Sequence, residues 1–218
     1  MKTAIVTGTS GNLGQAVVKK YLAENFAVEG AGSLSVDSPH YHTVAVNLTD
    51  EIAAGQWIQS VISRHATIDV AVLTVGGFEM NDIAHTNSSA IAKQIQLNFE
   101  TAYNVARPVF AQMLKQGRGR IFLIGSKAGL DMKNSKGMVA YGLSKSLLFR
   151  LAELMNDEAA GTGVKTVVIV PSTIDTPQNR AAMPVADFSK WQTPEFIADI
   201  IFSNCITAIS GESVIILK

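Results

Sequence analysis

The sequence predicts an α/β fold, a doubly wound parallel sheet of about seven strands with helices on both faces. Short apolar runs alternate with segments of helical periodicity, as in a parallel sheet with crossover helices. Runs such as residues 70–75 are apolar almost throughout, which is typical of strands buried on both faces. A glycine-rich turn directly follows the first run. The 218 residues are expected to form one domain spanning 1–218.

The expected elements follow from these runs and from the turn residues between them. In chain order the strands span residues 3–6, 27–34, 43–46, 70–75, 119–126, 163–170 and 213–217. Helices are expected from the glycine-rich turn to residue 23, from Asp50 to residue 64, and over 88–113, 141–155 and 194–204. Asp50 is expected to cap its helix. Glu29, within the second strand, is expected at an edge or solvent-facing position without a role.

Charge and composition exclude several classes of function. Eighteen basic and eighteen acidic residues cancel without forming a charge block, which disfavours nucleic acid and membrane surfaces as partners. The single Cys205 cannot form an internal disulfide, and the first residues lack the apolar core of a signal peptide. No apolar run approaches the ~18 residues of a membrane span. A cytoplasmic protein acting on a small molecule, without a metal site, is therefore expected.

The glycine-rich turn is a candidate phosphate-binding site. Gly8, Gly11 and Gly14 lie between the first strand and the first helix. Glycines there allow a tight turn and close approach of the backbone to a pyrophosphate, and the helix N-terminus offers N–H groups to the anion. The residues expected to contact a dinucleotide are Gly8, Thr9, Ser10, Gly11, Asn12, Leu13 and Gly14.

Residues after the other strands complete a candidate dinucleotide site. The tip of the second strand, where a carboxylate would bind the 2′-hydroxyl of NAD, carries Ser33 and neither an acid nor an arginine, so the choice between NADH and NADPH stays open. Asn47 and Leu48 border the expected adenine pocket, although an Asn at this point also serves as a turn residue or cap. Gly76 and Gly77 close the fourth strand and would let a cofactor lie against the backbone.

Tyr141 and Lys145 are the candidate catalytic pair because residues four apart share one face of a helix. Bringing the pKa of a tyrosine from ~10 to about 7 requires roughly 4 kcal/mol of preferential stabilisation of the phenolate. One cation at ~4 Å in an effective dielectric of ~20 supplies about that much. Lys145 is therefore expected to make Tyr141 a usable acid near neutral pH. The alternative is a chance occurrence of Tyr-x-x-x-Lys.

The order of these features resembles the short-chain dehydrogenase/reductase family over essentially the whole chain. After the glycine-rich turn come Asn98 in the long helix, Ser126 at the end of the fifth strand, the pair Tyr141 and Lys145, and a loop that begins at Pro171. The resemblance implies a Rossmann-type fold. It also implies an NAD(P)-dependent oxidoreductase that transfers hydride from NADH or NADPH to a C=O or C=N carbon.

The resemblance also implies a role for each candidate residue. Tyr141 would donate the proton, and Lys145 would bind the nicotinamide ribose and lower the pKa of Tyr141. Ser126 would orient the substrate, and Asn98 would hold a water that links Lys145 to solvent. The residues implied to hold the carboxamide are Pro171, Ile174 and Thr176. Structural alternatives remain, since Asn98 could bend its helix and Thr176 could cap the next one.

Three functions stay open, two of them enzymatic. The segment 168–191 resembles the substrate-side loop of family members that reduce dihydropterins, which implies a quinonoid dihydropterin. Phe78 and Trp191 would flank its flat ring, although an isolated aromatic is more often a core residue. Ser126 instead favours a general carbonyl or 3-oxoacyl reductase. The glycine spacing, unusual for a single-domain member, leaves a non-catalytic dinucleotide sensor that binds a protein partner.

Assembly is the last expectation from the sequence. The helical segments 98–113 and 147–155 carry more apolar positions than one sheet face requires. Members of the resembled family usually pair through these helices. A homodimer or higher homo-oligomer is therefore expected.

Overall fold

The described part of the chain forms one sheet. The computed structural model describes residues 1–131, 133, 135–206 and 212–217. Its strands are β1 (Lys2–Thr7), β2 (Phe26–Ala31), β3 (Val36–Ser38), β4 (Tyr41–Val44), β5 (Val70–Leu73), β6 (Arg118–Ile124), β7 (Gly163–Val170) and β8 (Val214–Ile216). They lie in the order β3-β4-β2-β1-β5-β6-β7-β8, and every neighbouring pair is parallel except β3 with β4. The expected fold class is confirmed.

Two strand predictions need correction. Among the described residues the sheet has eight strands, not about seven, because β3 pairs antiparallel with β4 at the edge. All three residues of β3 are exposed, so it leaves no apolar run in the sequence. The second strand ends at Ala31 and not at residue 34, because the chain turns at Gly32, whose N–H donates to the carbonyl of Val44 at 3.1 Å. Ser33 therefore lies beyond the strand.

Helices cover both faces of the sheet. They are α1 (Asn12–Ala23), α2 (Glu51–His65), α3 (Ser88–Ile95), α4 (Thr101–Gln116), α5 (Lys127–Leu130), α6 (Val139–Glu158), α7 (Pro177–Ala182) and α8 (Pro194–Ile206). The expected cap is confirmed, since the Asp50 carboxylate accepts from the N–H groups of Ile52 and Ala53 at 2.9 and 3.1 Å. The single helix expected over 88–113 is interrupted by a π-helical turn, Gln96–Glu100. Within the described residues, no helix is long and apolar enough to span a bilayer.

Two apolar cores flank the sheet. On one face α2, α4 and α6 bury residues such as Trp57, Val109 and Leu148 against the strands. On the other face α1 and α8 bury residues such as Val17 and Ile197. Because the central strands run parallel, the loops after β1, β5, β6 and β7 meet at one edge, which is where open α/β sheets bind ligands.

Glu29 contradicts its expected exposure. It lies in β2, between β1 and β4, and only 3% of its surface is accessible. Its carboxylate pairs with Nη2 of Arg64 at 3.0 Å, with Nε2 of His65 at 2.7 Å and with Nδ1 of His42 at 3.1 Å. Burial of a carboxylate is tolerated when such partners replace water. The prediction was wrong because these partners come from other elements, α2 and β4.

Candidate active site

The glycine-rich turn has the geometry of an anion-binding site. Gly8 has a φ of 69°, in the left-handed region that favours glycine. The N–H of Gly11 donates to the carbonyl of Gly8 at 2.9 Å, and a Cβ on Gly14 would collide with that carbonyl. Helix α1 begins directly afterwards at Asn12, with no side-chain cap on its N-terminal N–H groups. A helix N-terminus of this kind fits a pyrophosphate.

Two serine hydroxyls meet beside this turn at the tip of β2. The Ser10 hydroxyl oxygen accepts from both the N–H and the hydroxyl of Ser33 at 2.7 Å. A Cβ on Gly32 would collide with the Thr9 hydroxyl, so a larger residue cannot replace this glycine without rearrangement. The structure thus brings Ser10 and Ser33 together where the adenosine ribose of a dinucleotide is expected.

Asn47 is engaged in a turn. Its side-chain oxygen accepts from the N–H of Thr49 at 3.1 Å and from the Thr49 hydroxyl at 2.8 Å. Leu48 is buried, and its carbonyl accepts from Nδ2 of Asn104 at 2.9 Å. The turn role of Asn47 is therefore present in the structure, while its contact with adenine stays a prediction.

Asn98 ties the π-helical turn to the two glycines after β5. It is fully buried; its Oδ1 accepts from the N–H of Gly77 at 2.9 Å, and its Nδ2 donates to the Gly77 carbonyl at 3.1 Å. A Cβ on Gly76 would lie 2.7 Å from Oδ1 of Asn98 and 3.2 Å from Nζ of Lys145. The missing side chain at Gly76 thus leaves room for an amide and an ammonium, and π-helical turns of this kind are common at functional sites.

Lys145 lies deep in the site. Its ammonium donates to the carbonyl of Ile124, the last residue of β6, at 2.8 Å, and only 6% of the residue is accessible. Burial disfavours the charged form and lowers the pKa of Lys145 from 10.5 to about 8. Near neutral pH the group still carries its proton and remains a donor for ribose hydroxyls.

The side chains of Tyr141 and Ser126 lie next to each other, close enough for Ser126 to lower the pKa of the phenol. Burial raises the pKa of the Tyr141 phenol above 10.0, and Ser126 opposes this only in part. The expected lowering by Lys145 is absent in this structure because the ammonium is bound to Ile124 and lies 6.0 Å from the centre of the Tyr141 ring. The expectation was wrong because it included the charge and omitted desolvation.

The two aromatic candidates lie in different places. The Phe78 ring contacts the Tyr141 ring edge to face, with centroids 4.9 Å apart, and remains 60% exposed. The ring of Trp191 contacts Phe188, with centroids 4.7 Å apart, within the loop that follows α7. Phe78 therefore forms a wall of the site, while a substrate contact of Trp191 stays a prediction.

The loop after β7 is held by local contacts. Pro171 is buried, and Ile174 forms an isolated β-bridge with Gln192. The Thr176 hydroxyl accepts from the N–H of Asn179 at 3.2 Å and caps α7. The alternative prediction, that Thr176 caps the next helix, is therefore confirmed. The contact of Pro171, Ile174 and Thr176 with a carboxamide stays a prediction.

Three polar residues near the site were missed from the sequence. Gln94 and Ser144 accept from Nδ2 of Asn98 at 2.8 and 3.0 Å. Gln178 of α7 accepts from Nδ2 of Asn12 at 3.0 Å and links the glycine-rich turn to the loop after β7. Gln94 precedes Asn98 by four positions, a helical spacing that could have found it. No local pattern marks Gln178.

A family model described as short chain dehydrogenase matches residues 2–185. The chain belongs to the short-chain dehydrogenase family. It is accordingly an NAD(P)-dependent oxidoreductase, and the glycine cradle and the space beside Gly76 fit such a cofactor.

Relatives in this family carry different activities. The chain is 28% identical to a dihydropteridine reductase of Dictyostelium discoideum over 92% of this chain and 86% of that protein. It is 25% identical to the 3-oxoacyl-[acyl-carrier-protein] reductase FabG of Buchnera aphidicola over 80% of this chain and 74% of that protein. The solved structure of ElxO with NADP bound, 20% identical, superposes with a TM-score of 0.87 over 99% of this chain and 96% of its own. That likeness supports the fold.

The position of Lys145 predicts an alkaline limit on cofactor binding. Above a pH of about 8 the ammonium loses a proton, so NADH affinity and kcat/KM should fall with an apparent pKa near 8. The same shift means that the folded chain binds this proton more weakly than the unfolded chain, so stability should rise between pH 8 and 10.5. The pH dependence of NADH affinity is measured by titration, that of kcat/KM by steady-state kinetics, and that of stability by urea unfolding.

Lys145→Met should bind NADH more weakly and lose both pH effects. Lys93→Met, at an exposed lysine of α3, is the matched control and should retain them. An alkaline limb that persists unchanged in Lys145→Met would contradict the assignment.

Proposed function

We propose that the chain reduces a C=O or C=N carbon with NADH or NADPH and that Tyr141 is the proton donor. The observation that carries the proposal is the placement of the Tyr141 phenol beside Ser126, with the Lys145 ammonium and Gly76 close by. A phenol, a hydroxyl and an ammonium at one sheet edge suit hydride transfer coupled to proton delivery.

Each residue has a defined task in this mechanism. When bound, the reduced nicotinamide supplies the hydride. Burial raises the pKa of Tyr141, so the phenol is protonated near neutral pH. It would donate this proton to the oxyanion or amide anion that develops on the substrate. For a carbonyl substrate, Ser126 would donate a hydrogen bond to the same oxygen, and Lys145 would donate to the nicotinamide ribose. Asn98 holds Gly77 in place and would bind the water that carries protons to Lys145.

The rest of the candidate cofactor site follows the same logic. The turn at residues 8–14 would bind the pyrophosphate, Ser33 the adenosine ribose, and Asn47 with Leu48 the adenine. Pro171, Ile174 and Thr176 would hold the carboxamide. With two hydroxyls and no charged side chain at Ser10 and Ser33, we do not assign a preference between NADH and NADPH.

The proposed substrate is a quinonoid dihydropterin. Support comes from the similarity to a dihydropteridine reductase along 92% of this chain and from the exposed Phe78 ring, a flat surface next to Tyr141. Trp191 would close the other side. A general carbonyl or 3-oxoacyl reductase is the second candidate, favoured by the Ser126 hydroxyl at Tyr141 and by the similarity to a 3-oxoacyl reductase.

Titration and turnover together separate these candidates. NADH and NADPH are titrated separately, and their oxidation is then followed with chemically generated quinonoid dihydropterin and with a 3-oxoacyl thioester. Turnover of the pterin with either cofactor supports the first candidate, and turnover of the thioester alone supports the second. Binding of a cofactor without oxidation by any acceptor would instead indicate a non-catalytic dinucleotide sensor.

The Ser126 hydroxyl gives a sharper prediction. Ser126→Ala should lower kcat/KM by roughly 10²-fold for a carbonyl substrate, whose oxyanion loses a donor, and much less for a pterin. Ser63→Ala, at an exposed serine of α2 that bonds only to its own helix, is the matched control and should change neither. An equal loss with both substrates would contradict this division of roles.

We also propose that the chain is a single-domain, cytoplasmic homodimer or higher homo-oligomer. Tyr103 of α4 and Leu143 and Leu154 of α6 are exposed to 38, 49 and 53%, which leaves apolar side chains accessible on the two helices through which pairing is expected. Light scattering should give a mass of at least two 23.2 kDa chains. A monomer mass would contradict the proposal.

A further inference from the structure

The carboxylate of Glu79 lies beside the active site and bonds two side chains, those of Asn81 and Gln94. Glu79 belongs to residues 77–81, which follow β5 in the loop that leads to α3 and which we call the 77–81 segment. Its Oε1 accepts from Nδ2 of Asn81 at 2.9 Å, and its Oε2 from Nε2 of Gln94 at 3.4 Å. Asn81 in turn accepts from the N–H of Val139, the first residue of α6, at 3.2 Å. One carboxylate thus connects this segment to α3 and, through Asn81, to α6.

The contact with Gln94 determines how the Asn98 amide is held. Gln94 is 3% accessible and Asn98 is fully buried, so a wrongly oriented amide could not turn to water. Asn98 Nδ2 donates to Oε1 of Gln94 at 2.8 Å. A carboxylate only accepts, so Glu79 favours the Gln94 orientation in which Nε2 faces Glu79 and Oε1 faces Asn98. With Gln94 reversed, two amino groups would face each other.

The same segment carries the aromatic wall of the site. Phe78 precedes Glu79 directly, and its ring contacts Tyr141 although 60% of the residue is exposed. An edge-to-face contact at so exposed a position has little burial to maintain it. The position of the ring therefore depends on where the backbone on both sides is anchored. Those anchors are the Asn98 amide at Gly77 and the carboxylate of Glu79.

We propose that Glu79 is a positioning residue, whose carboxylate fixes the 77–81 segment so that Phe78 lies against Tyr141 and the Asn98 amide keeps one orientation. The part of this inference that concerns turnover rests on the proposed function. The part that concerns the position of Phe78 does not. Glutamine at position 79 would keep the shape but offer only one acceptor, so it would hold Asn81 or Gln94 and not both.

Tyrosine resonances test the position of Phe78 without cofactor or substrate. The chain has four tyrosines, so selective labelling gives few signals, and Tyr141→Phe identifies the one from Tyr141. Removing the neighbouring ring in Phe78→Leu displaces that signal. Glu79→Ala should displace it in the same direction by at least half as much, and Glu79→Gln by less. The control Asp82→Ala removes an exposed carboxylate of the same loop that bonds His85, and should leave the signal in place.

An unchanged Tyr141 signal in Glu79→Ala would overturn the proposal. Should the alanine variant not fold, an unchanged signal in Glu79→Gln has the same consequence. Because this measurement needs no turnover, it decides the positioning role even where the proposed substrate is wrong.

Kinetics provide the second arm. Glu79→Ala and Phe78→Leu should each lower kcat/KM by roughly tenfold, and the double variant should lose no more than the larger single loss, because both act through one contact. Losses that multiply to about a hundredfold would show independent effects and overturn the proposal.

Discussion

The ammonium of Lys145 lies almost out of reach of water, and the arrangement of the rest of the site depends on holding it there. A lowering of its pKa from 10.5 to about 8 corresponds to roughly 3 kcal/mol against the charged form. The carbonyl of Ile124 accepts a hydrogen bond from the ammonium, and the absent side chain of Gly76 leaves space beside it. The end of β6, the turn after β5 and helix α6 must therefore keep their relative positions.

Burial keeps the phenol of Tyr141 protonated, whereas the charge of Lys145 alone would favour the phenolate. Since burial raises the pKa of Tyr141, the phenol carries its proton throughout the neutral range. In the proposed mechanism, Tyr141 is therefore protonated and ready to donate before the reduction begins. The anion that remains after transfer needs stabilisation, which the Ser126 hydroxyl already offers and which an approaching cation would increase.

The sequence predicted the fold, and it predicted which candidate residues lie at one edge of the sheet, because both leave local signals. Apolar runs marked the buried strands, glycine spacing marked the turn before α1, and a four-residue spacing placed Tyr141 and Lys145 on one helical face. The features that the sequence did not predict depend on contacts between elements that are distant in sequence. Glu29 is buried because α2 and β4 supply its partners, and β3 exists because β4 offers an edge.

Burial also explains the error about the pKa of Tyr141. The four-residue spacing shows that the charge of Lys145 is near Tyr141, but it does not show how deeply either side chain is buried. The Ile124 carbonyl, which holds the ammonium away from the phenol, is 21 positions from Lys145 and invisible to a helical spacing.

The most direct test of the account removes only the phenolic hydroxyl of Tyr141. Tyr141→Phe should bind NADH and NADPH as tightly as the unaltered chain and stay folded, while kcat falls by about 10³-fold with the best acceptor. Turnover that continues at the original rate would contradict the role of Tyr141 as proton donor and the mechanism built on it.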